Sequence, residues 1–276
     1  MSIEQNDKIL ASFKYAIMDM DGVLYRGNQA QPGLLEFFDF LRKNGIPFLM
    51  LTNNSANSAS DYTRKLAKMG VTVKDSETVT SGQAASVYLR SVAPEGAGVF
   101  VVGMQPLRDS VFGGENEGLF VSDDKHPRFV VQGGDFNLVY ETVKKACLLI
   151  RAGATFIATN ADPVFPTEEG LIPGAGSIGA LLQTSTGQKP LVIGKPEAPM
   201  YEMALKMLGS SASETLMIGD NLVTDIDGAN RLGIPTALTL SGVTNEAEYE
   251  KSSIKATLVY QGLPELIAAW EAALQD

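Results

Sequence analysis

The chain has 276 residues, 45% of them hydrophobic, a net charge of −10, one cysteine and one histidine. This length buries a core in one large domain or two modest ones, and the acidic balance disfavours a nucleic-acid polymer, which would normally meet a basic surface. With Cys147 alone, an internal disulfide and a cysteine cage for a metal are excluded.

In chain order, an apolar strand at Tyr15 to Met18 runs into Asp19-Met20-Asp21-Gly22. A helix over Gly33 to Lys43 carries Leu34, Leu35, Phe37, Phe38 and Leu41; a strand follows at Ile46 to Thr52 and a helix at Ser58 to Met69, stopped by Gly70. Next come a helix near Gln83 to Arg90, a strand at Val99 to Val102, and an exposed loop over Ser110 to Arg128, rich in Gly, Glu and Asp. A strand at Phe129 to Val131, a helix at Asp135 to Arg151 and a strand at Thr155 to Ala158 complete the middle, with Cys147 read as a core thiol. A Cys147–His126 nucleophilic pair would lack the orienting third group that such chemistry uses. Strands at Leu191 to Ile193, Thr215 to Ile218, Thr236 to Leu240 and Thr257 to Tyr260 lead to a last helix, Pro264 to Leu274, with Trp270 as packing.

Short apolar runs alternating with amphipathic stretches predict an α/β fold with a largely parallel sheet. The middle has its own rhythm and reads as a second domain, with edges near Ser81-Gly82 and within Gly174 to Gly187. Apolar runs such as Ile46 to Leu51 are far shorter than the ~20 residues that span a bilayer. Met1 to Asp7 lacks the basic start and apolar middle of a secretory leader, so a cytoplasmic protein without membrane association is the expectation.

Four strand ends carry polar chemistry. Asp19 and Asp21 share one face of their strand and repel unless a cation or a phosphate-handling task holds them together. Thr52-Asn53-Asn54-Ser55 offers a hydroxyl and backbone amides that suit phosphate oxygens, though alone it also fits a helix cap or turn. Lys195, between Gly194 and a helix-starting Pro196, is able to neutralise an anion. Gly219-Asp220, with Asp225 five residues on, supplies the oxygen ligands that hard divalent cations favour. Ligands of open α/β sheets bind outside the carboxyl ends of the strands, where all four lie.

This set, in this order, resembles the haloacid dehalogenase (HAD) superfamily. Thr52-Asn53-Asn54, Gly194-Lys195-Pro196 and Thr224-Asp225-Ile226 are similar to its NagD-like branch, subfamily IIA. The resemblance implies a Rossmann-like, doubly wound core over residues 1–81 and 183–276 and an inserted α/β cap over 82–182 that sets specificity. The 142 residues from Asn53 to Gly194 exceed what a simple crossover needs. It further implies a Mg²⁺-dependent phosphatase of small phosphate monoesters: nucleotide monophosphates, phosphoglycolate, pyridoxal phosphate or sugar phosphates. Asp19 would be the nucleophile and Asp21 the general acid/base. Thr52, Asn53, Asn54 and Lys195 would bind the phosphoryl group or orient the nucleophile, and Asp19, Asp21, Asp220 and Asp225 would hold the metal. The branch admits a homodimer joined through the cap, which no residue pattern here supports. Two loops, Gly133 to Asn137 and Asn160 to Pro163, are candidates for substrate selection or for plain turns. A phosphotransferase or phosphomutase of the same superfamily is the nearest alternative. A receiver-type phospho-acceptor domain fits less well, being about half this length and uncapped.

Overall fold

The computed structural model describes residues 8–275 apart from residue 168, so the leader reading of residues 1–7 lies outside the described residues. The elements run β1 (Tyr15–Met18), β2 (Tyr25–Arg26), β3 (Gln29–Ala30), α1 (Leu34–Lys43), β4 (Phe48–Thr52), α2 (Ala59–Lys68), β5 (Thr78–Thr80) and α3 (Ser81–Val92). There follow β6 (Ala97–Val102), α4 (Gln105–Phe112), β7 (Phe120–Ser122), β8 (Phe129–Gln132), α5 (Tyr140–Arg151), β9 (Thr155–Ala158), β10 (Val164–Thr167), β11 (Gly170–Pro173), α6 (Ala175–Thr186) and β12 (Leu191–Val192). The chain closes with α7 (Ala198–Leu208), β13 (Thr215–Gly219), α8 (Gly228–Arg231), β14 (Thr236–Thr239), α9 (Glu246–Lys251), β15 (Leu258–Tyr260) and α10 (Leu263–Gln275). They fall into two compact units, the first of residues 8–51, 62–79 and 201–275, the second of 52–61 and 80–200.

The first unit is built on a sheet of order β15-β14-β13-β1-β4-β5. β1 pairs in parallel with β13 and β4, β13 with β14, and β14 with β15, as an α/β chain of buried apolar strands requires. From β1 the chain steps outward through β4 and β5, then returns to lay β13 on the other flank of β1. That reversal of direction is the place where open α/β sheets form a crevice at their carboxyl ends. The core beneath is dense in aromatics: Phe38 meets Phe48 edge-on at 5.2 Å, and Trp270 leans on Phe40 at 5.4 Å. Trp270 is completely buried, in keeping with its reading as packing. No helix among the described residues is long and apolar enough to cross a membrane.

The second unit has a parallel five-stranded sheet, β12-β9-β8-β6-β7, and an antiparallel β10–β11 hairpin. Three sequence expectations change here. Ser110 to Arg128 contains the end of α4, a 3₁₀ turn and β7 rather than one exposed loop, and Asn116 within it is fully buried. The Asn116 side chain donates to Ser86 Oγ and to the carbonyls of Ser110 and Val111, and accepts from Arg90, so a polar residue serves as the internal pin of the segment. Gly174 to Gly187, read as a boundary, contains helix α6, whose Gly179 lies against Gln132. Pro196 does not start a helix: it lies in a turn after a cis peptide bond, and α7 begins at Ala198. Cys147 is half-buried, its thiol directed at the Ser185 carbonyl, and His126 is exposed.

Candidate active site

Asp19 is the first residue past β1, and its N–H donates to the Ile218 carbonyl at 2.9 Å, which carries the parallel ladder one step beyond the strand. Asp220 is the first residue past β13. The two aspartates therefore leave neighbouring strands at the reversal point of the sheet. With Asp225 they bring one carboxylate oxygen each to within 4.8 Å of one another; Asp220 and Asp225 are buried and Asp19 half-buried. Three negative charges at that spacing repel by about 3.5 kcal/mol or more per pair at an effective dielectric near 20, a repulsion that a cation would relieve. The cluster's donors are all carboxylate oxygens, without thiol or imidazole, the set that hard ions such as Mg²⁺ select. The residues fit a divalent cation.

The backbone holds two of these carboxylates in place. Asp220 Oδ2 accepts the Val243 N–H at 2.6 Å, and Asp225 Oδ2 accepts the N–H groups of Asp220 and Asn221 at 3.2 and 3.1 Å. Asp225 sits in a π-helical turn, Leu222–Asp227, started by the Asn221 side chain, which accepts from the N–H groups of Val223 and Thr224. The Tyr201 hydroxyl braces this turn from below by donating to the Thr224 carbonyl. Glycine supplies the room. A Cβ on Gly22 or Gly242 would overlap the Asp220 carboxylate, and one on Gly219 would overlap Asp225.

Asp21 lies in a tight loop closed by Gly22 N–H to Tyr25 carbonyl at 2.7 Å, while Ser241 and Gln31 donate to the Gly22 carbonyl. Although Asp21 stands at the surface, the surrounding protein desolvates its carboxyl and raises its pKa, against the opposing pull of Lys65 and Arg26. A carboxyl held toward its protonated form suits a proton donor. The Lys65 ammonium rests 3.6 Å over the Tyr25 ring, and burial lowers its pKa against the pull of Asp21. Sequence reading missed Lys65, because a lysine on an amphipathic helix gives no sign of the group it reaches.

The second unit holds Thr52, Asn53, Asn54 and Lys195. Lys195 is buried. Thr52 Oγ1 accepts the Asn54 N–H at 3.2 Å, and Asn54 Oδ1 accepts the Ala56 N–H at 2.8 Å, a turn of the kind these residues form on their own. The Asn53 side chain donates to the Lys195 carbonyl at 2.8 Å and to Asp162 Oδ2 at 3.0 Å. Both N–H bonds of the side-chain amide are thereby used. Of the two candidate selection loops, Asn160 to Pro163 thus engages Asn53. In Gly133 to Asn137, Asp135 caps the Asn137 N–H and Phe136 packs on Phe165 at 5.5 Å, which delays the start of α5 to Tyr140.

Known proteins match this chain along most of its length. A family model described as haloacid dehalogenase-like hydrolase matches residues 16–113, and a second of HAD-hydrolase-like description matches 192–266. An acid sugar phosphatase of Staphylococcus aureus is 36% identical over 262 residues, 95% of this chain and 100% of that one. A 5′-nucleotidase of Bacillus subtilis is 35% identical over 94% of this chain and 99% of its own length. Among solved structures, a 4-nitrophenylphosphatase of Thermotoga maritima superposes with a TM-score of 0.88 at 36% identity, covering 94% of this chain and 98% of that one. A glycerol phosphate phosphatase of Mycobacterium tuberculosis in complex with magnesium gives 0.86 at 32% identity, covering 94% and 77%. NagD of Escherichia coli gives 0.84 at 32% identity, covering 92% and 98%.

Proposed function

This chain belongs to the haloacid dehalogenase-like hydrolases, in their NagD-like branch, and on that premise we propose that it hydrolyses a small organic phosphate monoester with Mg²⁺ through an aspartyl-phosphate. It is a phosphatase; the relatives it matches are named for sugar phosphates, nucleotides and glycerol phosphate, which have in common a phosphate ester on a small polar alcohol. The observation that carries the reading is the convergence of Asp19, Asp220 and Asp225 within 4.8 Å at the reversal point of the sheet.

In the first step a carboxylate oxygen of Asp19 bonds to phosphorus as the ester P–O bond breaks, and the carboxyl of Asp21 gives its proton to the departing alcohol oxygen. In the second, the Asp21 carboxylate takes a proton from water, whose oxygen bonds to phosphorus as the Asp19–phosphorus bond breaks, releasing inorganic phosphate. The raised pKa of Asp21 supports this division, since the group must be protonated first and basic afterwards. Asp19, Asp220 and the Asp21 carbonyl would hold the metal, with Asp225 acting through water or as a support. Bound Mg²⁺ would supply screening of the charge between carboxylate and phosphate. Lys195 would neutralise the phosphoryl oxygens, which the Thr52 hydroxyl and the Asn53 backbone N–H would orient. Residues 82–182 would serve as the cap that selects the alcohol.

The test is hydrolysis of 4-nitrophenyl phosphate with Mg²⁺, with and without chelator, followed by a panel of monoesters. Activity lost with chelator and reduced to background in Asp19→Asn is the expected result. Persistent hydrolysis in Asp19→Asn would overturn the mechanism, and transfer of the phosphoryl group to an added alcohol in preference to water would make the enzyme a phosphotransferase.

A further inference from the structure

Asn53 is tied at four points. Its side-chain amide donates to the Lys195 carbonyl and to Asp162 Oδ2, and its own carbonyl accepts from Ser81 Oγ at 2.5 Å and Asn160 Nδ2 at 2.6 Å. Asn160 also accepts the Asp162 N–H at 3.0 Å, so one loop grips both the main chain and the side chain of Asn53. That loop is itself fixed: the Gly194 N–H donates to the Thr159 carbonyl at 2.8 Å, Ser55 Oγ lies 3.0 Å from Thr159 Oγ1, and the Gly176 N–H donates to the Asp162 carbonyl at 2.9 Å.

The amide has one workable orientation. Turned over, its oxygen would face a carbonyl and a carboxylate, two acceptors with no proton to share. As built, Asn53 Oδ1 is buried without a hydrogen-bond partner, and an ideal Cβ on Gly194 would come within 2.6 Å of it. An unpartnered buried acceptor is a cost that the two donated bonds must offset, and the bond to a carboxylate is the stronger of the two.

We propose that Asp162, with Asn160, is a positioning residue of the phosphatase: it fixes the Asn53 amide against the Lys195 carbonyl and so holds the lysine-bearing loop in register with the Thr52–Ser55 turn. Asp162 would act through Asn53 and not by touching substrate. The inference rests on the phosphatase reading for its kinetic arm and on geometry alone for its structural arm.

The experiment compares Asp162→Ala and Asp162→Asn. The asparagine retains an oxygen that accepts from Asn53; the alanine does not. With 4-nitrophenyl phosphate and Mg²⁺, Asp162→Ala should lose about ten- to a hundredfold in kcat, the worth of one charge-assisted hydrogen bond, with KM within about threefold, and Asp162→Asn, which restores a neutral hydrogen bond, should recover part of the loss. Hydrogen exchange of the same proteins should show faster exchange at residues 53–55 and 193–197 in Asp162→Ala alone. Three results would each overturn the proposal: Asp162→Asn as impaired as Asp162→Ala, a change confined to KM, or unaltered exchange at both segments in Asp162→Ala. A parent enzyme without hydrolytic activity would sink the phosphatase reading instead, and the exchange comparison would still decide the clamp.

Discussion

Gly22 and Asp220 are packed so closely that a single methyl group on the glycine would occupy the space of the Asp220 carboxylate. The glycine also has φ +92°, which L side chains rarely adopt. Gly22→Ala should therefore lower Tm by roughly 5 °C or more and reduce hydrolysis by at least about tenfold, given ~1–2 kcal/mol of backbone strain before any overlap. Gly27 provides the control: its φ is +53° with nothing within 4 Å of an added Cβ, so Gly27→Ala carries strain alone. Equal effects in the two variants, measured by thermal melting and turnover, would show that Asp220 does not require the space at Gly22.

The close carboxylates make a second prediction, about metal removal. Without a cation, the mutual repulsion of Asp19, Asp220 and Asp225 opposes folding at neutral pH. Mg²⁺ at a hundredfold excess over its Kd should add about 2.7 kcal/mol, a rise in Tm of roughly 5–10 °C that a chelator reverses. Asp220→Asn should melt at or above the parent temperature in chelator, because one charge of the cluster is gone and the amide oxygen still accepts from Val243. It should gain little from Mg²⁺. An equal Mg²⁺-induced rise in both proteins would place the ion elsewhere.

How much of this was legible beforehand depended on whether partners were close in sequence. Tyr15–Met18 and Thr155–Ala158 match their strands to the residue, because an apolar run flanked by polar residues has one reading in an α/β chain. Asp19 and Asp220 stand out as acids at strand ends, with Asp225 five residues after the second. Helix α6 does not, since Gly176, Gly179 and its small polar residues look like a linker until Gln132 is seen packed on Gly179. Leu191 to Ile193 reads as a strand from its apolarity, but only the structure reveals that Leu191–Val192 pairs with β9. Nor does sequence tell that the Asn53 amide is spent on Asp162, 109 positions away.

The third prediction concerns pH. Burial raises the pKa of the Asp21 carboxyl above its ordinary 3.8, so between that value and the raised one the native state binds more protons than the unfolded chain. Stability therefore falls as pH rises through this window, opposite in sign to a salt-bridged aspartate. In chelator, Asp21→Asn should melt with the parent protein at the acid end and above it at neutral pH, by roughly 2 °C at most because solvent reaches the group. Lys65→Met should widen that gap, since the ammonium near Asp21 favours its charged form and removing it raises the carboxyl's pKa further. Melting curves of Asp21→Asn, Lys65→Met and the double variant from pH 4 to 8 check both signs. If Lys65→Met shifts Asp21→Asn as much as it shifts the parent protein, the lysine acts on the fold through Tyr25, whose ring it covers, and not through Asp21.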